Sequence, residues 1–112
     1  MLTNGMRHLV EIQYSQSAKN TDGDVETTWV TLATVYAERK DLSGQLLVAA
    51  QALFAEAQVQ FRIRFRPGIK AGMRVAHGSE MFRIGASIDR TGRRVELFLI
   101  CGGGLLDVGD VE

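Results

Sequence analysis

One cysteine, one proline, one tryptophan and two histidines among 112 residues leave few of the side chains that catalysis or metal binding requires. Cys101 has no partner for an internal disulfide, and one thiol does not complete a zinc site. It lies in an apolar strand pattern and reads as a small core residue rather than a reactive thiol. Free of disulfides, the chain is expected in a reducing, cytoplasmic setting. Neither His8 nor His77 has a second ligand at metal spacing. Asp22, Asp24 and Glu26 lack the remaining positions of a calcium loop. Gly102-Gly103-Gly104 is not followed by a phosphate-binding helix. There is no nucleophile elbow, P-loop or dinucleotide fingerprint, and no carboxylate pair in an evidently apolar setting. An enzyme is not expected, and no catalytic residue, metal or cofactor is assigned. No apolar run approaches the roughly 20 residues that span a bilayer. Met1 to Arg7 lacks the basic-then-apolar pattern of a signal peptide, so no membrane partner is expected.

What the chain does have is a strand with two contrasting faces. In Gln58-Val59-Gln60-Phe61-Arg62-Ile63-Arg64-Phe65-Arg66, apolar and polar residues alternate without a break. Period two marks a half-buried β-strand. Val59, Phe61, Ile63 and Phe65 face a core, and Arg62, Arg64 and Arg66 face outward. The chain carries 13 basic and 13 acidic residues, but nine of the basic ones fall between Arg62 and Arg94. The first 56 residues and the segment after Cys101 are net acidic. Such asymmetry suits head-to-tail contact between subunits or a basic surface toward nucleic acid. Arg62, Arg64, Arg66, Arg74 and Arg83 are the candidates for an interface or a channel-facing surface.

The length predicts one domain with a modest core. Met6 to Tyr14 reads as a strand. Ser15 to Thr28 is polar and rich in turn formers, and reads as a long mobile loop that becomes ordered in an assembly. Asp22, Gly23, Asp24 and Glu26 are its central residues. Trp29 to Arg39 is a second strand, with Trp29 bracing the loop base or the core. Leu46, Leu47, Ala50, Leu53, Phe54 and Ala57 recur at helical spacing, so a helix is expected over about 44–55, capped by Ser43 or Asp41 and laid across the sheet or a neighbour. Pro67-Gly68 makes a turn. Met73 to His77, Glu80 to Ile88 and Arg94 to Cys101 supply three more strands, the last buried on both faces. Gly102 is expected to end regular structure, leaving residues 102–112 as a glycine-rich acidic tail. The fold class is therefore mainly β: a small antiparallel barrel of about six strands, residues 1–101, with one inserted helix and a long flexible loop.

Single-strand nucleic-acid binders interleave aromatics with basic residues on one exposed face. Phe61 and Phe65 instead alternate with the arginines and point away from them. A small nucleic-acid-binding barrel is therefore the lesser reading, and a small-molecule enzyme lesser still.

The order of several segments carries a resemblance. Gly5-Met6-Arg7-His8 leads into Val10-Glu11-Ile12-Gln13. A polar loop precedes Thr28-Trp29-Val30 and Ala33-Thr34-Val35-Tyr36-Ala37. Leu42-Ser43-Gly44 opens a helix containing Ala49-Ala50-Gln51. Ile63-Arg64-Phe65-Arg66-Pro67-Gly68, Gly72-Met73-Arg74-Val75, Phe82-Arg83-Ile84 and Arg94-Val95-Glu96-Leu97 follow. In this order, over about residues 5–101, the chain resembles the head–tail joining family of tailed bacteriophages, also called head closure or stopper proteins. The resemblance implies a virion structural protein made in the host cytoplasm. It implies a ring of copies below the portal and its adaptor, which retains packaged double-stranded DNA and offers the tail a docking platform. It implies no catalytic residues, and a loop that projects toward the channel. The acidic character of residues 15–28 argues against direct phosphate attraction by that loop. A tail-completion or tail-terminator ring protein is the neighbouring alternative.

Overall fold

In a computed structural model, which describes residues 5–103, six antiparallel strands close on themselves. They are β1 (His8–Lys19), β2 (Val25–Asp41), β3 (Ala57–Arg64), β4 (Arg74–His77), β5 (Glu80–Ile88) and β6 (Glu96–Gly102), with one helix, α1 (Gly44–Leu53), between β2 and β3. The order around the barrel is β1-β2-β3-β6-β5-β4. The expectations for residues 1–4 and for the acidic tail at 104–112 lie outside the described residues.

Alternation on each strand fills the interior. Val10, Ile12, Ala37, Val59, Phe61, Ile63, Val75, Phe82, Ile84, Leu97, Leu99 and Cys101 form one continuous core. Phe61 is the largest of the side chains less than 2% exposed, followed by Ile12, Ile63, Ile84, Leu99 and Ile100. Burying an aliphatic or aromatic side chain of this kind is worth about 1.5–3 kcal/mol, so this cluster supplies the main force holding the strands closed. A second, smaller cluster sits outside the barrel wall, where Ala50 of α1 meets Ala57 and Ile100, with Leu42, Phe54, Ala86 and Ile88 packed around them. β6 is therefore buried on both faces, as its sequence predicts.

Three expectations are corrected. The stretch 15–28 is not an irregular loop. β1 and β2 pair continuously from Ser15↔Trp29 to Lys19↔Val25, leaving only 20–24 as the turn. The alternation signal is missing because neither face of this ribbon is covered: residues 15–19 and 21–28 are all exposed. Asn20 builds the tip. Its Oδ1 accepts the N–H of Asp22 (2.9 Å) and of Asp24 (3.0 Å), and its Nδ2 donates to Glu26 Oε2 (3.1 Å). Second, Gly102 does not end regular structure; it is the last residue of β6, opposite Ala57 and Arg83. Third, Ser43 takes the N-cap position of α1 without a side-chain cap bond, and Leu46 and Leu53 of the expected inward stripe remain 51% and 60% exposed.

The register of β1 and β2 shifts between Ile12 and Gln13, where Leu32 is the extra residue on β2. Bulges of this kind bend a strand and increase its twist. Here the bulge marks the point where the hairpin leaves the barrel, because β4 pairs with β1 only from Glu11 to Gln13.

Two glycines are required by close approach. A Cβ on Gly102 would lie 1.8 Å from the carbonyl oxygen of Glu56, and one on Gly85 would lie 2.0 Å from the Phe54 ring. Gly102 meets backbone, whereas Gly85 meets a side chain, the base of the Phe54 ring, which has rotamers open to it that a carbonyl lacks. Overpacking generally costs about 1–3 kcal/mol. Gly102→Ala is expected at or above the top of that range and Gly85→Ala lower within it, read from urea denaturation midpoints. Equal costs would show that the Glu56 turn yields as easily as a side chain.

Candidate functional site

The five arginines singled out by sequence do not form one basic face. β3 and β4 are three places apart in the closed order, so Arg62 and Arg64 stand on the opposite side of the barrel from Arg74. Arg62 is largely covered, at 9% exposure. Its Nε donates to Glu38 Oε1 (2.7 Å) and its Nη1 to Glu96 Oε2. One guanidinium thus ties β2, β3 and β6 together across the outer wall. Burial opposes the charge on Arg62, but the two carboxylates outweigh it and raise its pKa. This corrects the expectation that Arg62 faces a neighbour or a channel. Arg64, opposite Glu96 on the β3–β6 ladder, and Arg66, beyond the end of β3, are exposed.

Arg74 lies at the base of the ribbon. Its guanidinium sits 4.2 Å over the Trp29 ring, and its Nε donates to Gln13 Oε1 (2.6 Å). Trp29 therefore braces the loop base, as the sequence suggests. A cation over an indole is worth about 0.5–1 kcal/mol at such a site. Arg83 on β5 pairs with Glu56 and lies over Phe54 at the end of α1. Asp22, Gly23, Asp24 and Glu26 come together at the ribbon tip, fully on the surface.

Two features were missed by sequence reasoning. At one mouth of the barrel, Arg39 Nη1 reaches His77 Nδ1 (3.1 Å) and Glu80 Oε1 (2.6 Å), while its Nε reaches Asp41 (3.1 Å). The His77 ring packs edge-on against His8 and Phe61. These residues are 38 and 41 positions apart in sequence for the Arg39 contacts, so no local pattern announces them. The other feature is the β5–β6 loop. Asp89 organises it by accepting the N–H of Gly92 (3.1 Å) and of Arg94 (2.9 Å), the latter in the left-handed region at φ 60°. The loop presents Arg90, Arg93 and Arg94 on the surface, with Arg90 4.5 Å over Phe98. Among the described residues no group of histidine, cysteine or carboxylate side chains is placed to hold a metal.

Comparison with known proteins decides the family. The model of the phage head completion protein family matches residues 1–104. The chain belongs to that family. Membership makes it a phage head-related structural protein. Two solved structures share its fold. The solution structure of protein SF1141 from Shigella flexneri 2a is 23% identical, with 93% of this chain and 97% of that one covered and a TM-score of 0.74. A chain of the virion of a native gene transfer agent particle is 17% identical, with 88% and 94% covered and a TM-score of 0.57. No curated protein matches the sequence.

Replacing Arg62 by Gln removes the cation shared by Glu38 and Glu96. The carboxylates are 43% and 29% exposed, so water screens them and the cost is set at about 1–3 kcal/mol, below that of breaking a fully buried pair. A loss under about 0.5 kcal/mol in chemical denaturation would show that the bridge contributes nothing. For His77, burial lowers the pKa from 6.5, and the charges of Arg39 and His8 lower it further against the pull of Glu80. The unfolded chain therefore binds this proton at a higher pH than the folded one. Stability from this group is intact above about pH 6.5 and falls as pH drops toward the lowered folded value. His77→Gln is expected to reduce the loss between pH 7.5 and pH 5; unchanged pH dependence of the denaturation midpoint would exclude the histidine as its source.

Proposed function

We propose that this protein is a virion structural component at the head–tail junction. Copies form a ring below the portal and its adaptor, close the DNA-filled head and present the platform on which the tail docks. The observation that carries the reading is the family match over residues 1–104. The likeness of fold to a chain of a gene transfer agent virion agrees with it. So does the distribution of charge, because heterologous ring contacts need unlike patches on one subunit. The β1–β2 ribbon, projecting beyond the barrel with an acidic tip, supplies an arm that reaches a neighbouring component or the channel lining. No described helix is long and apolar enough to cross a membrane. The partners proposed are other copies, portal or adaptor proteins, tail proteins and the DNA held above the ring.

A nucleic-acid-binding barrel is disfavoured by the arrangement of the basic residues. Arg62 and Arg83 are paired within the chain, and Arg74 stands on the far wall. A phosphate-tracking groove needs its cations in one continuous file.

Electron microscopy of lysates from a phage that lacks this gene tests the reading. The expected result is DNA-filled or leaking heads beside complete, unattached tails. Filled heads beside unfinished or overlong tails would move the protein to tail completion, and normal virions would overturn a structural role.

A further inference from the structure

Two grooves stand on the outer wall of the barrel, the first apolar and the second mainly polar with exposed Leu9 in its lining, and the strand order sets them half a turn apart. The first runs between α1 and the outer faces of β5 and β6. It holds about 490 Å³, lined chiefly by Leu42, Leu46, Leu53, Ile88 and Ile100, with Asp89 and exposed Arg90 at its edge, the latter donating to Gln60 Oε1 (3.2 Å). The helix carries no charged residue along its ten positions, so nothing on it opposes an apolar visitor. The second groove, about 390 Å³, lies on β1 and its neighbours and is lined by Leu9, Glu11, Gln13, Thr34, Ala76 and Met81. Leu9 and Tyr36 face each other across the β1–β2 ladder and are 53% and 48% exposed. In the closed order, β1 is three places from β6 and β2 is three places from β5.

We propose that these grooves are the two halves of one heterologous interface. The α1 groove of one copy receives Leu9 and Tyr36 of the next, so that copies follow one another head to tail. The inference rests on the ring reading and assigns its faces. The occupant is a second copy because this chain carries both complementary surfaces. The β1–β2 hairpin, residues 8–41, holds six carboxylates against three basic residues, whereas residues 57–102 hold nine basic residues against three carboxylates. Glu11 lies in the β1 groove, where its carboxylate accepts from Gln13 Nε2 (3.0 Å) and Thr31 Oγ1 (3.1 Å). Arg90 borders the α1 groove. A head-to-tail contact brings Glu11 toward Arg90 and apolar against apolar. A twofold contact would set each face against itself and like charge against like, which is costly. Faces half a turn apart generate a row of copies, and a small departure from half a turn closes that row into a ring of many members.

The chain's own cysteine makes the test clean. Cys101 is fully buried and burial pushes its thiol pKa up, so introduced cysteines are the ones that react. Particles are assembled by complementing the gene-lacking phage with Leu46→Cys, Tyr36→Cys or the double variant, then treated with a short bis-maleimide. The expected result is a ladder of covalent multimers from the double variant and monomers from each single variant. Dimers from a single variant would indicate a twofold contact and overturn the proposal. If the thiol reagent gives no multimers while an amine-reactive cross-linker still does, the ring stands and this assignment of its faces falls. Multimers from neither reagent would overturn the ring reading itself. Should the double variant fail to enter particles, Glu11→Arg and Arg90→Glu are compared with their combination. Each single reversal is expected to lower titre at least tenfold and the combination to recover most of it; no recovery overturns the pairing of these faces.

Discussion

The seam between β1 and β4 is three residue pairs long, Glu11 to Gln13 against Arg74 to Ala76, and the barrel exists because it closes there. Without it the sheet would run from β4 through β5, β6, β3 and β2 to β1 with an open edge at each end. Open edges template further pairing, and Val75 and Ile12 would lose the opposite wall. The seam is reinforced at its outer end, where Arg74 bonds Gln13 and covers Trp29. It is also terminated there by the register shift after Ile12. A few residues thus decide two things at once: that the core is enclosed, and that the remainder of the hairpin is released from the barrel as an arm.

Closure also distributes the charge. Six strands in this order place the β1–β2 hairpin and the β5–β6 pair on opposite walls. The acidic hairpin and the β5–β6 loop that carries Arg90, Arg93 and Arg94 therefore lie on opposite walls, while the arginines of β3 and β4 flank the hairpin. Arg62 works against a simple reading of that asymmetry. It belongs to the basic half, but Glu38 and Glu96 on adjacent strands hold it in place. Its role is to bind the wall together. The same applies to Arg83 with Glu56 and to Arg39 with Asp41 and Glu80. Of these, only the Arg62 pairs join neighbouring strands, where such contacts favour one register; Arg39 with Glu80 links β2 to β5 at the barrel mouth, and Arg83 with Glu56 links β5 to the turn before β3.

How much of this is visible in the sequence depends on whether a face is buried. β3, β5 and β6 carry alternating or continuous apolar residues because both the core and α1 press on them, and their positions read directly from period two. The ribbon from Ser15 to Thr28 does not, because nothing packs on either side and cross-strand pairing alone leaves no hydrophobic signature. Gly102 reads as a break on composition. In the fold it is a strand residue whose missing side chain admits the Glu56 carbonyl, an approach that no local pattern encodes. The helix was legible as a helix but not as an exposed one. Its apolar spacing promises burial, yet only Ala50 is buried. The arginines were legible as outward-facing. Their partners, up to 34 residues away for Arg62, were not.

An apolar helix left half uncovered has a consequence for how the chain is held. Leu46, Val48 and Leu53 gain only part of the burial energy open to them in the single chain, since half or more of each remains in water. Whatever covers them stabilises the folded form selectively, and that gain grows with the concentration of the covering partner. A monomer with a small core and an assembled copy of the same chain are therefore not equally stable. In the ring proposed above, part of the apolar surface is reserved for assembly, and assembly would in turn protect the fold. The polar ribbon, by contrast, offers no such surface along its own length. The division between a wall with uncovered apolar surface and a polar arm is what the proposed ring would need for one short chain both to join its neighbours and to reach past them.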